Sequence, residues 1–402
     1  MKYVVVLGDG MSDYPIAQLG NRTPLQFASK PNIDFLASNG EIGMVKTIPD
    51  GIAPGSDVAN LSVMGYNPQR YYTGRSPLEA VSMGVELSDT DLAFRCNLVN
   101  LDVKDGYESA TMIDYSSDEI STSEAAELIK DVNKYLSDDE ITFHPGISYR
   151  HCMVWHNGAG TRSMTPPHDI LEKNIAAYLP SGDKGELFLS LQKKSYEILR
   201  NHPVNQARIA RGLRPANSIW LWGEGKKPAI PKFFDKYSIT GSVVSAVDLI
   251  KGIGLCAGMN SIDVEGATGN INTNFRGKAE ATLDELRKGR DFVYVHLEAP
   301  DECGHRFEIE NKVKSIELID SLVVGTLLEG LAAYEDYCLM VLPDHPTPLS
   351  LRTHTSDPVP YIIYRKSCQK PSGATGYDES QAQRTGLFVE EGHTLMDKFL
   401  VR

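Results

Sequence analysis

The sequence predicts an α/β fold, with a mostly parallel sheet between helices and a smaller inserted α/β domain. Three observations predict it. The chain has 402 residues, whereas a single hydrophobic core stops growing at roughly 250–300. Apolar runs without polar alternation stand at Tyr3 to Leu7, Phe292 to Leu297, Tyr337 to Leu342 and Pro360 to Tyr364, as in strands buried on both faces of a parallel sheet. Helical patterns lie between some of these runs, and a stretch of different character separates the first run from the rest.

Taken in order, Val4 to Leu7 is a strand that ends at Gly8-Asp9-Gly10. In Ala53-Pro54-Gly55-Ser56-Asp57-Val58-Ala59-Asn60-Leu61, Pro and Gly break the chain before an apolar helical pattern. Ser56 therefore sits at or next to a helix N-cap. From about Asp91 to Trp222 come Asp/Ser-rich breaks (Ser116 to Glu119, Ser137 to Glu140), the loop Thr165-Pro166-Pro167-His168 and a basic stretch ending at Arg214. We read 91–222 as an inserted domain within a discontinuous core of 1–90 and 223–402. The strand-helix pattern resumes at Tyr237 to Ile253. From Asn311 to Tyr334, Val313, Ile316, Ile319, Leu322, Val323, Leu327 and Leu331 recur at 3.6-residue spacing, with Lys312, Lys314 and Glu317 on the other side, which predicts one long helix. No repeat or low-complexity tract suggests a solenoid or propeller.

Lys and Arg total 40 against 53 Asp and Glu, a formal charge of -13, so a nucleic-acid backbone is repelled over most of the surface. The apolar run near the N-terminus is too short for a signal segment or a membrane span. Six cysteines are scattered without a CxxC pair, which suits a reducing compartment. The expectation is a cytoplasmic protein with a small-molecule substrate and neither a nucleic-acid nor a membrane partner; the oligomeric state is left open.

Three polar clusters directly follow apolar runs: Asp9; Asp301 with His305; and Asp344-His345. In open parallel sheets ligands bind beyond the carboxyl ends of the strands, so the three loops can converge on one crevice. Carboxylates and imidazoles are ligands that Mn²⁺, Zn²⁺ and Mg²⁺ accept, and such a set can hold two ions. His354 is a sixth candidate, and His393 competes with it. Ser56 is a candidate nucleophile, because a helix start favours anions and a divalent cation activates a hydroxyl without a separate base. Arg200, Arg208, Arg211 and Arg214 crowd one segment of an acidic chain, with Arg150-His151 upstream; guanidinium forks suit carboxylate and phosphate, although a solvated helix face explains the crowding equally well.

Several motifs, taken together, are more specific: Leu7-Gly8-Asp9-Gly10-Met11; Gly55-Ser56-Asp57-Val58-Ala59-Asn60-Leu61 with Tyr71-Tyr72-Thr73-Gly74-Arg75; Arg211-Gly212-Leu213-Arg214-Pro215-Ala216-Asn217 with Trp220-Leu221-Trp222-Gly223; His296-Leu297-Glu298-Ala299-Pro300-Asp301-Glu302; and Pro343-Asp344-His345 with His354-Thr355-Ser356-Asp357-Pro358-Val359-Pro360. In these the chain resembles, end to end, the archaeal-type cofactor-independent phosphoglycerate mutases of the alkaline phosphatase superfamily. The resemblance implies an alkaline-phosphatase-like core and an inserted domain that holds the glycerate. It also implies interconversion of 3- and 2-phosphoglycerate with two divalent metal ions and no bisphosphoglycerate. Mn²⁺ is the expected ion, with Zn²⁺, Mg²⁺ or Co²⁺ as alternatives. Carried over by position, one metal is held by Asp9, Ser56, Asp344 and His345, and the other by Asp301, His305 and His354. Ser56 becomes the phosphoserine. Asp57, Arg75, Arg150, His151, Arg211 and Arg214 are implied substrate contacts, with Asn205 and Lys278 as further ones. The nearest alternatives are a metal-dependent phosphomonoesterase, a phosphomutase on another small substrate, and a noncatalytic protein with the same fold. The absence of a Gly-x-x-x-x-Gly-Lys-Ser/Thr loop counts against a kinase.

Overall fold

A computed structural model describes residues 1–400, and the four apolar runs all lie in one sheet. Strands are numbered in chain order. The first two are β1 (Lys2–Gly8) and β2 (Glu41–Val45). The middle of the chain supplies β3 (Leu92–Asp102), β4 (Thr111–Asp114), β5 (Ile141–His144), β6 (Arg150–Trp155), β7 (Arg162–Ser163), β8 (Ser181–Gly182) and β9 (Ser218–Lys226). The last third supplies β10 (Gly241–Val244), β11 (Asn260–Ile262), β12 (Phe292–Leu297), β13 (Tyr337–Leu342), β14 (Val359–Arg365) and β15 (Phe388–Val389).

The chain divides into two compact units, Met1–Tyr72 with Ile230–Arg402, and Thr73–Ala229. The first holds an eight-stranded sheet in the order β11-β10-β12-β1-β13-β14-β2-β15. β1 lies at its centre, parallel to both β12 and β13, with Val4, Val5, Val6 and Leu7 fully buried. Each such side chain contributes about 1.5–3 kcal/mol by leaving water. β14 runs antiparallel to both of its neighbours, so the sheet is mostly parallel. Burial of both faces makes β14 as apolar as the parallel strands, so composition does not reveal its direction.

The long helix predicted over 311–334 is a helical run in three parts: an α-helix Ile309–Leu318, a π-helical stretch Ile319–Val324 and an α-helix Gly325–Leu331. The wide turns expose no apolar face; they aim Asp320 at the start of the helix Pro31–Asn39. There its Oδ1 accepts from Ile33 N at 2.7 Å and its Oδ2 from Asn32 Nδ2 at 2.9 Å. A carboxylate at a helix N-terminus is electrostatically favourable.

The second unit is built on an antiparallel sheet ordered β4-β3-β6-β5, with β9 also paired to β3. One face carries Phe94, Cys96, Leu98, Met153 and Leu221, which form a core with Leu128 of the helix Thr122–Leu136 and Phe188 of the helix Gly185–Leu199. The sequence reading places the inserted domain at 91–222, but the compact unit also takes in the helix Ser76–Ser82. Its Ala80 packs with Ala93, Cys152 and Val154 of β3 and β6. β9 likewise continues to Lys226, so Arg75 falls in the second unit. Among the described residues no helix is long and apolar enough to cross a membrane.

Candidate functional site

The three polar clusters that follow apolar runs meet at the carboxyl ends of β1, β12 and β13. Asp9 comes directly after β1. Asp301 and His305 are four residues apart on the helix Ala299–Arg306 after β12, which puts both on one helix face. Asp344-His345 follows β13. Gly10 makes the approach possible: its φ is +63°, and a Cβ there would stand 2.5 Å from Thr347 Oγ1 and 2.8 Å from Asp301 Cα.

Two groups of ligand atoms result, Asp301 with His305 and His354, and Asp9 with Asp301 and His345, each with its atoms within 4.8 Å of one another. In the first, His305 Nε2 lies 2.9 Å from His354 Nε2 and 3.2 Å from Asp301 Oδ2, and His354 Nε2 lies 3.3 Å from Asp301 Oδ1. His305 Nδ1 faces the Arg352 carbonyl at 2.9 Å. This contact makes Nδ1 the protonated nitrogen of the neutral ring and leaves the Nε2 lone pair for an ion. In the second, His345 Nε2 lies 3.6 Å from Asp9 Oδ1, 3.4 Å from Asp344 Oδ2 and 3.1 Å from Ser56 Oγ. Ser56 is the first residue of the helix Ser56–Val63, after the N-cap Gly55. Asp344 is fixed by Gly10 N (3.1 Å), His345 N (2.9 Å) and Asn60 Nδ2 (2.8 Å).

The donor chemistry fits divalent cations. Asp9 Oδ1 is buried without a hydrogen-bond partner. Burial, and then the Asp344 and Asp301 carboxylates, push the Asp9 carboxyl well above its ordinary range. Buried carboxylates crowded in this way need a positive charge among them. Asp301 shows the opposite balance: burial works to raise it, but hydrogen bonds from His305 and His354 hold it well below the ordinary range. Its bond raises His305 to about 9. Burial lowers His345.

The seven expected ligands, Asp9, Ser56, Asp301, His305, Asp344, His345 and His354, are thus neighbours in one cluster. His393 belongs to none of the ligand groups found among the described residues; it lies on the 3-10 turn Gly392–Thr394. His296 was not among the candidates. It is fully buried near the end of β12, with Nε2 3.1 Å from Asp9 Oδ2, and it forms a third possible ligand group with Asp9 and Asp344. Burial lowers it to about 3. The available signal was a histidine inside an otherwise apolar strand. Lys312, placed by periodicity on the polar side of its helix, is fully buried instead, because its Nζ bonds Asp13 Oδ2 at 2.7 Å and the Thr347 carbonyl at 2.8 Å. Lys278, also fully buried, donates to the His296 carbonyl at 3.0 Å, and burial lowers it to about 8.

The expected substrate contacts separate. Asp57, behind Ser56, accepts from Tyr72 Oη at 2.6 Å and from Val58 N at 2.9 Å. In the second unit, Arg75 pairs with Glu79 at 2.9 Å and Arg150 is exposed. His151 is buried, and its strand partner is Cys96, on the face that packs against the helices. Arg211 bonds Glu124, and Arg214 meets Asp114 at 3.2 Å and Asp118 at 3.4 Å, so both already have carboxylate partners. Asn205 is buried and spends its amide on Leu199 O, Ala216 O and Ala216 N, which makes it a brace inside the unit.

Comparisons with known proteins identify the family. The family described as 2,3-bisphosphoglycerate-independent phosphoglycerate mutase matches residues 37–205. A Geobacter sulfurreducens protein described as a probable member is 50% identical over 402 residues, covering all of both chains. A Methanosarcina barkeri member is 49% identical over 398 residues, 98% of each chain. Among solved structures, a Pyrococcus horikoshii protein superposes with a TM-score of 0.84 at 29% identity, covering 99% of this chain and 96% of its own. The cofactor-independent phosphoglycerate mutase of Thermoplasma acidophilum gives 0.69 at 27% identity, covering 100% and 99%. With half its residues shared along its whole length, the chain belongs to the 2,3-bisphosphoglycerate-independent phosphoglycerate mutases, an isomerase family.

Proposed function

We propose that the protein interconverts 3-phosphoglycerate and 2-phosphoglycerate, as its family name describes, through a phosphoserine at Ser56 and without bisphosphoglycerate. The observation that carries the reading is Ser56 Oγ standing 3.1 Å from His345, inside a cluster that also holds Asp9, Asp301, His305, Asp344 and His354. Asp9, Ser56, Asp344 and His345 would hold one divalent cation and Asp301, His305 and His354 another, and such ions would neutralise phosphoryl charge and lower a hydroxyl pKa. Oxygen and imidazole donors without thiolate suit Mn²⁺, and also Zn²⁺, Mg²⁺ or Co²⁺.

The protein's own groups have distinct tasks. Ser56 Oγ gives up its proton and bonds to phosphorus as the bond to the C3 oxygen of the substrate breaks; that oxygen takes up a proton, and the glycerate stays bound and turns while Ser56 carries the phosphoryl group. The C2 hydroxyl then gives up its proton as its oxygen bonds to phosphorus, the Ser56–phosphorus bond breaks, and Ser56 Oγ takes a proton back. Asn60 and the backbone of Gly10 and His345 hold the Asp344 carboxylate in one orientation throughout. Retention of glycerate distinguishes this reaction from hydrolysis, so the groups that bind its carboxylate belong to the machinery. Free cysteines agree with a cytoplasmic setting.

The test is an enolase-coupled assay of 2-phosphoglycerate formation, run with and without Mn²⁺ and with no bisphosphoglycerate. Metal-dependent isomerisation is expected. Release of inorganic phosphate with no isomer formed would make the protein a phosphomonoesterase instead.

A further inference from the structure

Strand β12 brings two polar side chains to the metal-ligand cluster. Tyr294 and His296 stand two residues apart and so share one face of the strand, and both are fully buried. Each serves one carboxylate of the cluster, by a different route. Tyr294 Oη donates to Asn60 Oδ1 at 2.6 Å, which leaves the Asn60 amide to donate to Asp344 Oδ2 at 2.8 Å. His296 Nε2 meets Asp9 Oδ2 directly, at 3.1 Å.

The His296 ring is held on its other side as well. Ser245, the residue after β10, is buried, and its Oγ lies 3.4 Å from His296 Nδ1. That oxygen already accepts from Val247 N at 3.0 Å, so its own hydrogen is available to Nδ1. Lys278 Nζ donates to the His296 carbonyl at 3.0 Å and fixes the backbone beneath the ring. A carboxylate that ligates a cation is ionised and only accepts, so the hydrogen in the contact between Asp9 and His296 sits on Nε2. The other oxygen, Asp9 Oδ1, is buried without a hydrogen-bond partner and lies 3.6 Å from His345 Nε2.

We infer that His296 is a positioning residue of the metal centre: oriented by Ser245, it donates Nε2–H to Asp9 Oδ2, so that Asp9 presents Oδ1 alone to the cation it shares with Ser56, Asp344 and His345. The inference rests on the metal assignment of the proposed function and adds the group that aims one of its ligands. It also removes Asp9, His296 and Asp344 as a third cation site, because a protonated Nε2 has no lone pair to give. Ligands bonded from behind in this way keep a single orientation, and loss of the supporting bond weakens metal binding.

The experiment titrates Mn²⁺ into the full-length, chelator-stripped protein by calorimetry, where the parent should bind two ions. His296→Leu should weaken one of them by about 10- to 100-fold and leave the other unchanged. The loss should persist in a His354→Ala background, where the Asp9 site is the one that remains. His296→Gln places an amide N–H where Nε2 stood and should recover most of the affinity, whereas His296→Asn, one bond shorter, should not. Ser245→Ala should weaken the same ion by a smaller factor. Parental affinity in His296→Leu, or equal losses in the Gln and Asn variants, overturns the inference, since a histidine that merely packs would give either. A second measurement needs no change at His296. In the Zn²⁺-loaded protein with isotope-labelled imidazoles, long-range proton–nitrogen NMR should show a ring with protonated Nε2 and bare Nδ1 whose signals shift in Ser245→Ala. An unprotonated Nε2 there makes His296 a ligand and overturns the inference even where the His296 variants unfold. Failure of the proposed function is a separate result, because neither readout uses turnover: a parent that binds two ions and forms no 2-phosphoglycerate still tests the role of His296. A parent that binds no ion overturns the metal assignment and this role together.

Discussion

A serine at the first position of a helix is an ordinary residue until its surroundings are counted. Ser56 has the His345 imidazole 3.1 Å from its Oγ, and the N-cap of its helix is Gly55, so its hydroxyl is no cap. Ser56→Ala should therefore abolish phosphoryl transfer and cost only about 0.5–1.5 kcal/mol of stability, read by the coupled assay and by urea unfolding. Wild-type turnover in that variant excludes a phosphoserine. His354→Ala should lose one of two bound metals while His393→Ala keeps both, measured by elemental analysis after dialysis; the reverse pattern would exchange their roles. The candidate ligands Asp9, Asp301, His305, Asp344 and His345 stand out in the sequence because their clusters follow apolar runs; Ser56 and His354 do not. His296 was hidden inside such a run, and its meaning depends on Asp9, which only the pairing of β1 with β12 brings near. Arg211 and Arg214 show a related limit: their ion-pair partners Asp114, Asp118 and Glu124 lie far upstream, and spacing carries no trace of them.

Elements hold the cluster through one internal ion pair. Lys312, on the helix Ile309–Leu318, reaches Asp13 and Thr347 at once, and Asp13 also accepts from Leu349 N at 3.1 Å. The loop after β1 is thereby tied to the loop after β13, and each carries candidate metal ligands. Thr347 extends the tie, donating to Asp301 Oδ1. Lys312→Met strands a buried carboxylate and should cost about 3–5 kcal/mol, together with weaker metal retention; equilibrium unfolding and metal titration check the two effects. Unchanged stability would mean that Asp13 finds another partner. Periodicity missed this lysine because a helix face reports average polarity, whereas one paired charge can lie on the buried side. It missed the π-helical stretch for a similar reason: the extra residue per turn serves Asp320, whose partners Asn32 and Ile33 belong to another helix.

Over the whole molecule, charge decides the response to pH and to chelators. Removing metal leaves Asp9, Asp301 and Asp344 facing one another, so chelation should lower the melting temperature as well as stop turnover, and Mn²⁺ should restore both. Glu379 gives a separate handle. Its Oε2 accepts from Thr23 Oγ1 at 2.7 Å and its Oε1 from Asp13 N at 3.3 Å, and burial raises it from 4.5 to about 7. Between these values the folded chain keeps a proton that the unfolded chain has released, so stability falls as pH rises through 7. Glu379→Gln should unfold about 2–4 °C higher than wild type at pH 8 and no higher at pH 4, by differential scanning calorimetry. The layered fold was legible because strands buried on both faces are apolar throughout; the boundary at Thr73 was not, because only packing assigns the helix Ser76–Ser82 to its unit. The position of β1 also bears on synthesis. Tyr3 pairs with Phe292 and Cys338, so the first strand made waits for the last third of the chain, on the order of 15–60 s at roughly 5–20 residues per second. Thr73–Ala229 is complete well before then. On ribosomes stalled near residue 250, the middle unit should resist protease while the first 72 residues are cut, and the nascent N-terminus should be the segment that a holdase chaperone covers.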